Sequence, residues 1–239
     1  MPKKQKNLPN ELIFLPNADK QSHEKWKDGR NLLNFPKPYR MLLFGSPGSG
    51  KTNFIHNVIM RADPPFEKIY VFHPDPESRE YAMLGNHVEM LDSMPSKLFC
   101  DPKLKNLLIL DDIEYKNLNK EDKASFDRLS GYTSTHRNCS LMITSQDAIN
   151  VPASVRRNTN IFILYKNVPD LNSLAQIASK VGLNADKLFS IFDNCMQGQR
   201  DNLTIDLTQG SPAKFRVNGF RKIKEVSASN KKERLTKYE

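Results

Sequence analysis

The residues best suited to chemistry form a glycine-rich run at residues 45–52, which reads GSPGSGKT. Every fixed position of the phosphate-loop (Walker A) pattern G-x-x-x-x-G-K-[ST] is matched. Its glycines permit backbone conformations in which successive N–H groups converge on phosphate oxygens. Lys51 is a flexible positive charge for the terminal phosphates, and the Thr52 hydroxyl is a ligand for Mg2+. The run predicts a site for ATP with Mg2+, the alternative being a glycine-rich turn followed by an incidental Lys-Thr pair.

The residues on either side of this run predict the elements that position it. An apolar run at residues 40–44 indicates a strand, and apolar residues at helical spacing within residues 51–60 indicate a helix. A helix that begins near Lys51 directs its positive end at the phosphates. The residues predicted to bind the nucleotide are Gly45, Ser46, Pro47, Gly48, Ser49, Gly50, Lys51, Thr52 and Asn53.

A second set of candidates follows the apolar run at residues 106–110. A strand there would deliver Asp111 and Asp112 to the carboxyl end of a parallel sheet, where the sites of α/β proteins lie. We predict that Asp111 holds Mg2+ through water and that Asp112 polarises the attacking water. Glu114 is a weaker candidate for the second role. A turn or helix-cap aspartate is the alternative, and it suits Asp112 alone better than the pair.

A third set surrounds the next predicted strand, residues 140–144. Gln146 follows this strand and is predicted to sense the terminal phosphate or the water, the alternative being a polar residue in a surface turn. Arg137 precedes the strand, and Arg156 and Arg157 precede the one after it. Any of the three arginines could cross a subunit boundary to neutralise charge in the transition state, although each taken alone is more often a solvated or DNA-facing side chain.

The wider pattern predicts an α/β fold, a three-layer P-loop NTPase with a mostly parallel central sheet. Apolar runs predict strands at residues 40–44, 68–72, 106–110, 140–144 and 160–165. Helical spacing predicts helices at residues 51–60, 119–129, 170–180 and 186–195. Alternating segments at residues 203–207 and 215–217 are predicted to pair at the sheet edge.

Domain limits and partners are predicted from composition and charge. Residues 37–220 should form the ATPase domain, preceded by an arm at residues 1–36 and followed by a basic tail at residues 221–239. The arm is expected to pack on the domain or on a neighbour. The formal net charge of +9 favours a polyanionic partner, because lysine and arginine release counterions from nucleic acid.

The remaining reactive residue types give no metal or disulfide pattern. The cysteines are widely separated and are predicted to be reduced thiols: Cys100, Cys139 and Cys195. The histidines are predicted to be ordinary surface or capping groups: His23, His56, His73, His87 and His136. No apolar stretch is long enough to cross a bilayer, and the N-terminus lacks the apolar segment of a signal peptide. These features predict an intracellular protein without a membrane span.

The order of these motifs resembles the FtsK/HerA superfamily. The phosphate loop is followed by an intervening strand, by a strand ending in Asp111-Asp112 and by a strand ending before Gln146. The segment at residues 151–158 then supplies a proline, two arginines and an asparagine. Within the superfamily, this combination is similar to the viral genome-packaging ATPases of large DNA viruses, poxviruses and virophages. The resemblance covers residues 38–165.

The resemblance implies a RecA-like core, a homo-oligomeric ring, ATP with Mg2+, and translocation of double-stranded DNA into a viral capsid at a packaging vertex. It places the protein in a viral factory in the host cytoplasm or nucleus, and in the virion. It also implies an arginine finger from the neighbouring subunit, with Arg137 as first choice and Arg156 and Arg157 next. Many relatives carry glutamate where this chain has Asp112, which leaves the identity of the base between Asp112 and Glu114.

Two other functions compete with a packaging motor. A P-loop nucleotide or small-molecule kinase would transfer the phosphoryl group to an acceptor, but the paired acids and Gln146 favour hydrolysis. A DNA-binding or capsid assembly protein could keep a nucleotide site without catalysis. The presence of Lys51, Thr52 and Asp111 together disfavours that alternative.

Overall fold

The computed structural model describes residues 23–75, 77–96, 99–146, 150–166 and 171–223. The strands are β1 (Arg40–Phe44), β2 (Lys68–Phe72), β3 (Val88–Leu91), β4 (Asn106–Leu110), β5 (Cys139–Ser145), β6 (Ile161–Tyr165), β7 (Asn202–Asp206), β8 (Phe215–Val217) and β9 (Arg221–Lys222). The α-helices are α1 (Lys51–Met60), α2 (Lys120–Arg128), α3 (Ser134–His136), α4 (Ala153–Asn158), α5 (Leu171–Val181) and α6 (Ala185–Cys195). Short 3-10 helices span Ala82–His87 and Tyr115–Asn117, and a π-helical turn spans Leu129–Thr133.

The described strands form a single sheet in the order β3-β2-β4-β5-β1-β6-β7-β8-β9. Strands β1 to β6 pair in parallel, whereas β7, β8 and β9 add to one edge in antiparallel fashion. The predicted mostly parallel sheet and the pairing of the late segments at its edge are both confirmed. The long continuous apolar runs form the central parallel strands, because such strands are buried on both faces.

Alternate side chains of each strand enter separate cores on the two faces of the sheet. In β1, Leu42 and Phe44 belong to one core, whereas Met41 and Leu43 belong to the other. Helices α2, α4, α5 and α6 cover the first core, and α1 covers the second. The arrangement is the predicted three-layer α/β fold.

The N-terminal segment, where the structure describes it, packs against the second core. Leu33 and Phe35 are buried there, and Trp26 donates a hydrogen bond from Nε1 to Thr208 Oγ1 at 2.7 Å. The apolar patch at residues 12–15 and the tail beyond residue 223 lie outside the described residues. Arg221 and Lys222, which fall in the predicted tail, pair with β8 as part of the sheet.

Strand register explains why the predicted site residues meet. Phe44 of β1 is level with Ser145 of β5, and Leu110 of β4 is level with Ile143 of β5. The segments that follow these three strands therefore leave the sheet at the same edge, which we call the carboxyl edge. Among the described residues, no helix is both long enough and apolar enough to cross a membrane.

Candidate nucleotide-binding site

A cleft of about 480 Å3 opens at the carboxyl edge, above β1, β4 and β5. Most of the residues proposed from the sequence meet there. Its lining consists of Pro47, Gly48, Gly50, Lys51, Thr52, Asn53, His56, His73, Glu80, Asp111, Asp112, Gln146 and Arg200.

The phosphate loop has the close approaches that its glycines predict. Gly50 adopts a φ of 106°, a conformation that other residues rarely take. A Cβ atom at Gly45 would lie 2.6 Å from Ser49 Oγ and 2.9 Å from Tyr165 Cβ, so a side chain there would not fit. The hydroxyl of Tyr165, at the end of β6, donates a hydrogen bond to the carbonyl of Gly50 at 2.9 Å. Ser49 Oγ is buried without a hydrogen-bond partner among the described residues. A cradle of this kind suits a ligand with many acceptor oxygens, such as a polyphosphate.

Lys51 begins α1 and lies across the loop. Its Nζ donates hydrogen bonds to the carbonyls of Gly45 at 2.8 Å and Ser46 at 3.2 Å. Burial lowers the pKa of Lys51, and the nearby carboxylates of Asp112 and Asp111 act in the opposite direction. The Lys51 ammonium therefore lies beside the phosphate loop and bonds to neutral carbonyl oxygens. Charged phosphate oxygens would be stronger acceptors for it.

Asp111 is fixed at the end of β4. Only 3% of the residue is exposed, and each carboxylate oxygen accepts one hydrogen bond. Thr144 Oγ1 donates to Oδ1 at 2.5 Å, and the Tyr81 hydroxyl donates to Oδ2 at 2.6 Å. The Thr52 hydroxyl lines the same cleft but donates to Glu80 Oε2 at 2.8 Å.

These oxygen donors fit the demands of Mg2+. Hard carboxylate and hydroxyl oxygens are its preferred protein ligands, and it usually takes only one or two of them together with phosphate oxygens and water. Over the part of the chain that the structure describes, no group of three or more His, Cys, Asp or Glu residues forms a metal site by itself. Thr52 and Asp111 thus suit a magnesium ion that arrives with a nucleotide.

Asp112 and Gln146 form a pair at the mouth of the cleft. Gln146 Nε2 donates to the two carboxylate oxygens of Asp112 at 3.1 and 3.4 Å. Asp112 has a φ of 50°, in the left-handed region that aspartate tolerates better than most residues. Its backbone N–H donates to Thr144 Oγ1 at 2.7 Å, which anchors the turn. Glu114 is exposed, accepts from Asn117 Nδ2 and does not line the cleft. Of the two acids proposed as base, only Asp112 faces the site.

The three candidate arginines lie away from the cleft of their own subunit. Arg137 precedes β5, and Arg156 and Arg157 lie in the last turn of α4, which leads into β6. They are therefore near the amino ends of the parallel strands, at what we call the amino edge. The Arg156 guanidinium donates to the carbonyl of Val151, and the carbonyl of Arg157 accepts from Lys180. A catalytic role for any of them requires a second subunit.

Several residues of the site were not predicted from the sequence. Glu80 and Tyr81 come from the segment between β2 and β3. Arg200 comes from the loop before β7. This loop lies at the carboxyl edge because β7 runs antiparallel to β6. The prediction for His56 as a surface or capping residue was wrong, because His56 is 8% exposed and lines the cleft. His56 lies four residues after Thr52 on α1, so the two share one helix face. That spacing could have predicted that His56 lines the cleft.

Comparison with solved structures finds this fold in viral genome-packaging ATPases. The DNA-packaging ATPase B204 from Sulfolobus turreted icosahedral virus superposes with a TM-score of 0.56 at 14% identity, over 79% of this chain and 99% of that one. The genome packaging NTPase B204 from Sulfolobus turreted icosahedral virus 2, in complex with ATP-gammaS, gives a TM-score of 0.54 at 17% identity, over 78% and 98% of the two chains. No family model matches the sequence, and no curated protein matches it. The fold predicted from the resemblance to viral genome-packaging ATPases is therefore confirmed.

Proposed function

We propose that this chain, which has the fold of the viral genome-packaging ATPases, is itself an ATP-hydrolysing motor that moves double-stranded DNA into a capsid. The observation that carries the proposal is the convergence of Lys51, Asp111, Asp112 and Gln146 with the phosphate loop in one cleft. The similarity in fold extends over 99% of the DNA-packaging ATPase B204 and 79% of this chain, which supports the comparison of the two over most of their lengths.

The first part of the mechanism is binding. The loop N–H groups and the N-terminus of α1 hold the phosphates, and Lys51 moves from the carbonyls of Gly45 and Ser46 to the terminal phosphate oxygens. A bound magnesium ion supplies positive charge that offsets the charge of the terminal phosphates, and Thr52 and Asp111 are the residues that would hold it. Asp111 is already held by two hydrogen bonds, so its orientation costs little on binding.

The second part is hydrolysis. A water oxygen attacks the terminal phosphorus, the bond from that phosphorus to the bridging oxygen breaks, and ADP leaves with the electron pair. The Asp112 carboxylate accepts a proton from the water, and Gln146, hydrogen-bonded to Asp112, orients the carboxylate and the water. Because the terminal phosphate must face these residues, which follow β4 and β5, the nucleoside would extend toward β6 and β7, and Arg200 lines the cleft just before β7.

The third part is coupling to DNA. We propose a homo-oligomeric ring in which an arginine of one subunit, Arg137 before Arg156 and Arg157, reaches the cleft of its neighbour. The net charge of +9 supports contact with the DNA backbone. The capsid, at a packaging vertex, is the second proposed partner.

The proposal is tested by measuring ATP hydrolysis with Mg2+, with and without duplex DNA, across a salt series. DNA should stimulate the rate, and the stimulation should fall at least about tenfold between roughly 50 and 200 mM salt because phosphate contacts release counterions. Lys51→Ala should abolish both rates. Hydrolysis indifferent to DNA at every salt concentration, or transfer of the phosphoryl group to a nucleoside monophosphate, would contradict a DNA motor.

A further inference from the structure

We propose that the dipeptide Glu80-Tyr81 is the positioning element of the magnesium site. The inference rests on the proposed function and extends it to residues outside the recognised motifs. The dipeptide lies after β2, where Tyr81 precedes the 3-10 helix Ala82–His87. Its two side chains bond to the two residues that would hold the metal, Thr52 of the phosphate loop and Asp111 directly after β4.

The contact of Glu80 determines how the Thr52 hydroxyl points. A hydroxyl has one proton and two acceptor lone pairs, and the Thr52 proton is donated to Glu80 Oε2 at 2.8 Å. The lone pairs of Thr52 are then available to a cation. Glu80 is exposed, so without its carboxylate water would accept that proton and the hydroxyl would be held less firmly as a ligand. Glu80 thus acts through Thr52 as a positioning residue.

The hydrogen bond from Tyr81 determines how the Asp111 carboxylate points. Tyr81 is 2% exposed, and a tyrosine hydroxyl is a neutral hydrogen-bond donor. It donates to Asp111 Oδ2 at 2.6 Å. Hydrogen bonds of this kind fix the orientation of metal-binding carboxylates, and their loss typically weakens metal binding by about 10- to 100-fold.

A further observation indicates that this corner of the cleft accepts a ligand. His56 packs edge-on against the Tyr81 ring, with centroids 5.5 Å apart and the rings at 90°. His56 is 8% exposed and lines the cleft, yet its Nε2 has no hydrogen-bond partner among the described residues. A buried polar atom without a partner is costly unless a ligand or water satisfies it.

The experiment measures Mg2+-dependent binding of a fluorescent, non-hydrolysable ATP analogue by anisotropy, so that turnover is not needed. Glu80→Ala should raise the Mg2+ concentration for half-maximal effect about tenfold. Tyr81→Phe, which keeps the ring and its packing, should also raise it about tenfold. Glu80→Gln keeps an acceptor oxygen and should stay within about twofold of the wild type. Binding with EDTA should be the same in all variants.

Glu77→Ala is the matched control, because Glu77 is an exposed glutamate of the same segment outside the cleft lining. Circular dichroism would check folding. Equal Mg2+ dependence in the wild type, Glu80→Ala and Tyr81→Phe would overturn the inference while leaving nucleotide binding intact. Glu80→Gln as weak as Glu80→Ala would also overturn it, because the carboxylate would then be a direct ligand. A wild type that binds no nucleotide at all would contradict the proposed function instead.

Discussion

The two edges of the sheet use polar side chains in different ways. At the carboxyl edge, Gln146 bonds to Asp112, and Asp111 accepts from two neighbouring residues, around an open cleft. Buried atoms there, Ser49 Oγ and His56 Nε2, have no partner in the described part of the chain. This edge is arranged for a ligand.

At the amino edge several charged side chains bond to partners within the chain, while buried nitrogens of Arg137 and Arg216 have none in the described residues. Arg40 donates from Nε to the carbonyl of Asn158 at 2.5 Å and from Nη1 to Thr135 Oγ1 at 2.9 Å, so it ties β1 to the ends of α3 and α4. Asp206 and Arg216 form a fully buried ion pair at 2.9 Å. These contacts indicate that Arg40 and Arg216 stabilise their own subunit. An arginine at the amino edge could act in catalysis only across a boundary between subunits.

The largest effect is expected from Arg137, and it tests that boundary. If Arg137 completes a neighbour's site, Arg137→Ala should lower kcat about a thousandfold while ATP binding stays normal. Mixing Arg137→Ala with Lys51→Ala should then restore part of the activity, because some mixed interfaces pair an intact Lys51 with an intact Arg137. Steady-state hydrolysis of the separate and mixed proteins is the measurement.

Arg128→Ala is a suitable control for this comparison, since Arg128 is exposed at the end of α2, near the same part of the fold. Mixtures no more active than the average of their components would show that Arg137 does not act across subunits. The same mixing experiment with Arg156→Ala and Arg157→Ala would then decide between the remaining candidates.

Asp112→Asn tests the carboxyl edge. Asparagine tolerates the φ of 50° and keeps an oxygen that accepts from Gln146, but it is a far weaker proton acceptor than a carboxylate. The hydrolysis rate should fall about a hundredfold, with ATP affinity within about threefold of the wild type. Glu114→Gln, which alters a residue outside the cleft lining, should hydrolyse ATP normally. Normal turnover in Asp112→Asn would transfer the role of base to Glu114 or another group.

Much of the carboxyl edge could be predicted because its residues follow apolar strands directly. The phosphate loop follows β1, and Asp111 follows β4. The apolar strand runs and the parallel topology of the sheet together predict that the two meet. Glu80 could not be found in this way. It lies eight residues after the end of β2, its contact with Thr52 spans 28 residues, and no spacing rule connects the two. Arg200 was missed for a similar reason, because its approach depends on the antiparallel direction of β7.

The elements missed from the sequence are short ones. Strand β3 has only four residues and is half-buried at the sheet edge, so it lacks a continuous apolar run. Helix α4 has six residues, too few for helical periodicity to stand out. The fully buried strands β4 and β6 were predicted to within about one residue, because burial on both faces leaves little choice of residue type.

Breaking the Asp206–Arg216 ion pair at the amino edge is expected to have the smallest effect on catalysis. Arg216 is fully buried, and two of its guanidinium nitrogens have no hydrogen-bond partner in the described residues. Its positive charge is stabilised by the Asp206 carboxylate and by the rings of Trp26 and Phe35. Asp206→Asn leaves that charge uncompensated and should lower the free energy of unfolding by about 3 to 5 kcal/mol.

Urea and thermal denaturation measure this loss, with Asp193→Asn on the exposed face of α6 as the matched control. ATP affinity of the folded protein should stay within about twofold of the wild type, because Asp206 is at the edge opposite the cleft. If Asp206→Asn instead weakened nucleotide binding without lowering stability, the division between a ligand-binding carboxyl edge and a structural amino edge would be wrong. A loss of stability alone would place the ion pair in the scaffold that holds β6 and β7, and with them Tyr165 beneath the phosphate loop.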